Sequence, residues 1–412
     1  MVGGRILLTG ATIIDAVHPG SRPATVVVSG ERIADVVEPA GAAPSDGDTV
    51  IDVNGRFLLP GLWDAHTHLE PRVRPSNPSI PELTLRHADQ ARRGLEAGVV
   101  AVRSGGMPHL IDVALRNAAA EGLIVGPRLF AAGSLLTTTG GHLSWSPWSR
   151  TCDGPAEFSA AVREQITAGI DHVKVSLSGG IMGPAWDRHD HSYWLPDELD
   201  AAFAVAAGRG YPVMAHATNP DSVKAALRRG AHSIEHGYVL DDECIELFLE
   251  TGAWFVPTLC ISHLTENQAK SCWERDWVRG RGLRADLVAR ADAAAEEHRR
   301  WFRRALDAGV RMALGSDLGP LESALFQEME LWVKDGATPM QAIVAASRNS
   351  ADMCGVLGET GTIEVGKAAD LIAVSADPLA DINNVRSVEL VMQGGRIVAD
   401  RRSGGGINRG AS

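Results

Sequence analysis

Leu58-Leu59-Pro60-Gly61-Leu62-Trp63-Asp64-Ala65-His66-Thr67-His68 is an apolar run that stops at two histidines separated by one residue. Side chains alternate faces along a strand, so positions two apart point the same way, and both imidazoles can reach one ion where the strand ends. A lone His-x-His reads equally well as a chance pair or as a metal site. What decides between them is whether further ligand-type side chains fall at the ends of later strands.

Downstream, short β-branched runs alternate with helical stretches rich in Ala, Leu, Glu and Arg, the pattern of parallel βα units. Candidate strands cover residues 57–63, 99–103, 128–133, 172–177, 211–215, 233–235, 254–259 and 310–315. Eight strands separated by helices close a (β/α)8 TIM barrel. The charged, helix-patterned stretch 263–308 is expected outside the barrel or over its mouth. Upstream, residues 5–59 read as short strands punctuated by Gly, Pro and Asp, and the same texture returns after Gly361. Each end alone has too few strands to bury two faces, so the two are expected to pair as one small β-sandwich domain. The expected division is 1–59 and 359–402 for the two parts of that domain, 60–358 for the barrel, and 403–412 for a Gly-rich flexible tail.

Composition agrees with this plan. The 412 residues, 45% hydrophobic, suffice for a barrel and a smaller domain. A formal charge of -12 would repel nucleic acid and anionic membranes, so neither is an expected partner. Cys152, Cys244, Cys260, Cys272 and Cys354 are scattered, without the close pairs of a zinc ribbon or disulfide framework, and read as reduced thiols of a cytoplasmic protein. No cleavable leader stands out, and no run reaches the roughly 18 apolar residues that a membrane helix needs.

In a (β/α)8 barrel chemistry sits at the C-terminal ends of the strands. The first strand ends in His66 and His68, and the fourth carries Lys174 among β-branched residues. The fifth reaches His216, the sixth His236 and the eighth Asp317. Singly, each has a bland reading: a core histidine, a surface lysine, a helix-capping aspartate. Jointly they do not, because burying six such groups unpaired would cost several kcal/mol each.

The chain resembles the amidohydrolase superfamily, specifically its imidazolonepropionase-like and Xaa-Pro dipeptidase-like branch with a binuclear metal centre. The resemblance runs from about residue 5 to 400. It rests on Pro60-Gly61-Leu62-Trp63-Asp64-Ala65-His66-Thr67-His68, on Val173-Lys174-Val175 followed by Ser178-Gly179-Gly180, and on Ala215-His216-Ala217. Ser233-Ile234-Glu235-His236-Gly237, Gly315-Ser316-Asp317 and the stretch Gly361 to Leu371 complete it. It implies a binuclear hydrolase in which His66, His68 and Asp317 hold the more buried ion and His216 and His236 the other. Lys174 would bridge the two as a CO2-derived carbamate. The mixed nitrogen and oxygen set suits Zn2+, with Mn2+, Co2+ or Fe2+ as alternatives. A hydroxide shared by the ions would attack the substrate carbonyl, with Asp317 as general base and then general acid.

His142, in Gly140-Gly141-His142, resembles a family histidine that approaches the substrate carbonyl oxygen, and Tyr238 is a similar catalytic candidate. His189-Asp190-His191 has no strand character around it and reads as a solvated loop over the mouth. Trp145, Trp148, Trp186 and Trp194 fall in mouth loops, either as an apolar or aryl-binding wall or as lid packing. Dipeptidase-like relatives often place a histidine after the eighth-strand aspartate, where this chain has Leu318-Gly319-Pro320-Leu321-Glu322-Ser323. That departure sets dipeptides beside N-acyl amino acids, aryl amides, ureas and carbamates as small-molecule substrates whose amide-type C–N bond would be cleaved. The alternatives are a mononuclear deaminase of the same superfamily, a carbamate or ester hydrolase with an aryl substrate, or a catalytically silent scaffold. A homo-oligomer is expected.

Overall fold

The computed structural model describes residues 4–39, 41–70, 78–263 and 265–402. The expected tail, 403–412, lies outside them. Both chain ends build one eight-stranded mixed sheet, in the order Arg396–Asp400, Val388–Gln393, Leu371–Val374, Phe57–Pro60, Ile6–Ile13, Arg22–Ser29 and Arg32–Val37. Thr49–Asp52 adds parallel to Ile6–Ile13. The seam between the two ends is antiparallel, Leu371 opposite Pro60 and Val374 opposite Phe57. The two-residue period divides the burial at that seam. Leu58, Leu371, Ala373, Leu390 and Met392 enter the sheet's own core with Leu8, Val26 and Val28. Their neighbours Leu59, Ile372, Val374 and Val391 enter the barrel's core instead. Two apolar faces thus weld a small β-sandwich to a (β/α)8 barrel.

The first seven barrel strands are Leu62–Thr67, Val99–Ser104, Arg128–Phe130, Val173–Ser176, Val213–Ala217, Ser233–His236 and Trp254–Val256. Neighbours pair in parallel from the first to the third and from the fourth to the seventh. Between the third and fourth, the Ala131 carbonyl accepts from Asp171 N at 2.7 Å, and Leu136, on a short strand at Leu135–Thr137, pairs with Val175.

Two strand expectations are corrected. The run 57–63 is two strands: Phe57–Pro60 belongs to the mixed sheet, and the first barrel strand begins at Leu62 and runs to Thr67. Pro60 contributes no backbone N–H, and at Gly61 a side chain would stand 2.3 Å from Val100 Cγ1, so the chain crosses between sheets where only glycine fits. The eighth strand is not regular; 310–315 shows a single bridge, Met312 to Phe255. Beyond the two bonds with Phe255, its donors turn elsewhere: Leu314 N donates to the Ala345 carbonyl at 3.2 Å and Ser316 N to Asp64 Oδ1 at 3.0 Å. The segment still closes the barrel, because Ala65 N donates to Leu314 O at 2.9 Å and Asp317 N to His66 O at 2.7 Å.

Within the stretch 263–308, Cys272–Arg281 and Ala285–Ala308 are helices. Ser271 caps the first, accepting from Glu274 N at 3.1 Å, while the Glu274 side chain accepts from Ser271 N at 3.0 Å. No helix among the described residues is long and apolar enough to cross a membrane.

Candidate metal centre

Five of the six strand-end donors, His66, His68, Lys174, His216 and His236, are buried, and they line one cavity together with Asp317. His66 lies near the end of its strand and His68 just past it, as the two-residue period requires. Asp317 Oδ1 stands 3.2 Å from His66 Nε2 and 3.0 Å from His68 Nε2. The other ring nitrogens are held: His66 Nδ1 lies 2.7 Å from Glu235 Oε2 and His68 Nδ1 2.7 Å from the Gly106 carbonyl. His236 Nδ1 meets Thr258 Oγ1 at 2.7 Å, and His216 Nε2 meets the Gly179 carbonyl at 3.1 Å. An imidazole fixed through one nitrogen, with the other turned toward the remaining donors, is the usual arrangement of a metal-binding histidine. His66, His236 and Asp317 offer ligand atoms all within 4.8 Å of one another. That trio straddles the expected division into a His66, His68, Asp317 site and a His216, His236 site.

Lys174 Nζ approaches His66 Nε2 to 3.4 Å, and burial pushes its amine down to about 8, against the opposing pull of the Glu235 and Asp317 carboxylates. Burial also drives His216 and His236 well below the ordinary histidine range, aided for His216 by the neighbouring His142 and Lys174 and for His236 by His216. Neutral imidazoles are the ligating form. Burial alone would raise Asp317, but the charges and hydrogen bonds of His66 and His68 hold it well below the carboxylate range. A carboxylate set among imidazole nitrogens and a lysine amine, withdrawn from bulk water, is a donor set that a divalent cation fits.

Backbone geometry concentrates at the same place. His236, Thr258 and Asp317 all hold positive φ, at 73°, 51° and 55°, in the left-handed region that residues other than glycine seldom adopt. Gly105 sits so close to the pair that a side chain there would stand 2.7 Å from His66 Nε2 and 2.8 Å from His68 Cε1.

Several supporting residues escape a reading of the sequence because their partners are far along the chain. Glu235 is buried between His66 and Arg103, whose Nη1 lies 3.3 Å from Glu235 Oε1. Burial would raise its carboxyl, yet the His66 hydrogen bond and the Arg103 charge hold it at about 2. Asp64 accepts from Ser316 N and Oγ and from His66 N, tying the first strand to the eighth; burial nonetheless raises it to about 6. Asp187 bonds His142 Nδ1 at 2.7 Å. The alternation of Ser233 and Glu235 about Ile234 is the one local signal for an inward carboxylate.

His142 and Tyr238 both line the cavity, whose volume is about 1170 Å3. The His142 ring stacks on His216 at 4.3 Å, and Tyr238 lies 5.5 Å from the His236 ring. Trp145 and Trp148 line the cavity, Trp148 at 4.7 Å from the His68 ring, while Trp186 meets Trp145 edge-on at 5.2 Å. Trp194 is different: buried, packed 3.8 Å from Phe158, it donates to the Ser176 carbonyl at 2.6 Å and so supports the fourth strand rather than the wall. Trp273, Trp277 and Arg281 of the helix Cys272–Arg281 close over the mouth. His189 lies 6.1 Å from the Tyr238 ring and His191 is exposed; neither joins a metal-type cluster among the described residues.

Comparison with known proteins agrees with this geometry. A sequence model of the Amidohydrolase family matches residues 57–398. The chain is 29% identical over 374 residues to ochratoxinase of Aspergillus niger, covering 82% of this chain and 75% of that one. It is 27% identical over 410 residues to imidazolonepropionase of Micrococcus luteus, covering 90% and 92%. The crystal structure of a Xaa-Pro dipeptidase with methionine bound in its active site superposes with a TM-score of 0.85 at 27% identity, over 96% of this chain and 99% of that one. Barrel, donor set and sequence agree, and the chain belongs to the amidohydrolase family, as a metal-dependent hydrolase.

Proposed function

We propose that the protein hydrolyses an amide-type C–N bond at a centre of two divalent cations, with Zn2+ favoured. The observation that carries this reading is the meeting of His66, His68, Lys174, His216, His236 and Asp317 at one cavity, with no donor missing. His66, His68 and Asp317 would hold one ion, and His216 and His236 the other. Lys174 would bridge them as a carbamate, because an ammonium cannot ligate a cation whereas a carbamate is an anionic bidentate oxygen donor. Burial lowers its amine to about 8, which raises the share of free amine that would react with CO2. A bridging lysine speaks against the one-metal deaminase reading. The ions, when bound, supply Lewis-acid polarisation of a carbonyl and an acidified water.

The chain's own residues do the rest. Asp317 takes the proton of the attacking water and returns it to the leaving nitrogen. His142, oriented by Asp187, donates to the carbonyl oxygen as negative charge develops there, and Tyr238 is placed to assist as a second donor. The names of the ochratoxinase and the Xaa-Pro dipeptidase support a carbonyl substrate, and the tryptophans near His68 favour an apolar or aryl group beside it. In Asp317→Asn, turnover of amide substrates is expected to fall roughly 100- to 10,000-fold while metal is retained. Measured against metal content by elemental analysis, wild-type turnover in that variant would remove Asp317 from the mechanism.

A further inference from the structure

Thr258, two residues past the seventh barrel strand, has a φ of 51°, and a β-branched residue holds the left-handed region only where its surroundings keep it there. What keeps it there comes from a distant helix. Glu328, wholly buried on Leu321–Lys334, accepts from Leu259 N through Oε1 and from Cys260 N through Oε2, both at 2.7 Å. One turn further along that helix, Trp332 Nε1 donates to Glu328 Oε1 at 3.0 Å and so holds the carboxyl in place. The two backbone N–H groups that follow Thr258 are thereby fixed in direction. Its carbonyl is fixed as well, accepting from Ile261 N at 3.1 Å.

Glu328 does not line the metal cavity, so it meets neither ion nor substrate there. Burial pushes its carboxyl up to about 8 against the pull of those N–H groups, with no cation contributing. A carboxyl buried without a counter-ion carries a standing cost, and the return for it must lie in what it holds. Without Glu328, two buried N–H groups would lack their partner and the turn would be driven to relax.

Thr258 passes that constraint to a metal donor. Its hydroxyl has one proton, which goes to the Pro257 carbonyl at 2.7 Å. His236 Nδ1 stands 2.7 Å from the same oxygen and must therefore be the donor. The His236 proton then sits on Nδ1, and the lone pair left for an ion is on Nε2. We propose that Glu328 is a positioning residue of the metal centre: by pinning the turn 258–260 it aims the Thr258 hydroxyl oxygen, and so selects the Nδ1-protonated tautomer of His236. This rests on His236 being a metal donor, as in the hydrolase reading above.

The test uses the full chain, metal-free, with isotopically labelled histidine, whose ring-nitrogen NMR shifts report which nitrogen carries the proton. The His236 signals are assigned by their loss in His236→Gln. The wild type is expected to show His236 protonated at Nδ1 alone. Thr258→Val and Glu328→Gln should each give a mixture with the Nε2-protonated form, and should lower Zn2+ affinity, measured against a chelator, roughly 10- to 100-fold. Thr258→Ser, which keeps the hydroxyl, should behave as wild type. Because both residues act along one path, the double variant Thr258→Val/Glu328→Gln should lose no more affinity than the more affected single variant. Should Glu328→Gln prove insoluble, Glu328→Asp, one methylene too short to reach both N–H groups, is expected to show the same mixture. A wild-type His236 protonated at Nε2 would overturn the proposal, as would additive losses in the double variant. Glu328 variants with lowered thermal stability but unaltered tautomer and affinity would overturn it too, since they would make the residue merely structural. An enzyme that cleaves no amide yet shows this coupling would count against the hydrolase reading instead and leave Glu328 in its role.

Discussion

At the scale of single residues, the site is governed by what is denied to each side chain. Lys174 has no carboxylate within ion-pair distance among the described residues and lies against an imidazole nitrogen, so its ammonium is poorly solvated where it stands. Carbamylation would convert that misfit into a ligand. Enzyme stripped of metal and CO2 and then reloaded with Zn2+ is expected to regain about two ions per chain only when bicarbonate is present. Intact-mass measurement under native conditions should show the gain of one CO2, absent from Lys174→Met. Two ions regained without bicarbonate, and no mass gain, would sink the carbamate. Gly105 is constrained from the other side, because its missing side chain leaves the space that His66 and His68 occupy. Gly105→Ala must displace one ring, so its metal affinity is expected to drop roughly 10- to 100-fold, the range seen when a ligand's support is disturbed. Competition with a chelator measures this, and unchanged affinity with a native circular dichroism spectrum would show that the rings have room to move.

At the scale of elements, legibility followed how local the signal was. Strands that end in a candidate ligand advertise themselves, since a polar residue that halts an apolar run, as His66, His216 and His236 do, is seldom there for packing alone. The eighth strand hid its irregularity because Leu314 N and Ser316 N bond to Ala345 and Asp64, partners 31 and 252 residues away that no window along the chain contains. Glu235 was visible as a residue and invisible as a support of His66, from which 169 positions separate it. Trp194 stayed open between wall and packing for a related reason. An indole in a mouth loop can be either, and what decides for packing is that its N–H found the Ser176 carbonyl and its ring found Phe158. The helix Cys272–Arg281 carried its message at intervals of four, Trp273, Trp277 and Arg281. Charges at Glu274, Arg275, Asp276 and Arg279 interleave with it, so the sequence does not say which face meets the cavity.

At the scale of the whole molecule, the small sheet and the metal centre are one mechanical unit. Phe57–Pro60 pairs with Leu371–Val374 on one side and with Thr12 and Ile13 on the other, and one residue later the same chain becomes the strand that carries His66. The C-terminal strands are thus a clamp on the entry to the first barrel strand, placed more than 300 residues away in sequence. Their removal would expose Leu58 and Leu59 and delete the buried side chains of Leu371, Ile372, Val374, Leu390, Val391 and Met392. At about 1.5–3 kcal/mol for each large apolar side chain, that loss is on the order of 10 kcal/mol. It is comparable to the whole stability of an ordinary domain, about 5–15 kcal/mol. A chain ending at Asp370 is therefore expected to accumulate as insoluble protein, or, if soluble, to show little native circular dichroism and to hold no metal. Adding residues 371–402 back as a separate chain during expression should restore part of both, because the seam is made of backbone hydrogen bonds and apolar contact rather than of chain continuity. A truncated protein that is soluble, natively folded and fully metallated would show instead that the barrel fixes His66 without the clamp, and that the split sheet serves some purpose other than holding the first strand in place.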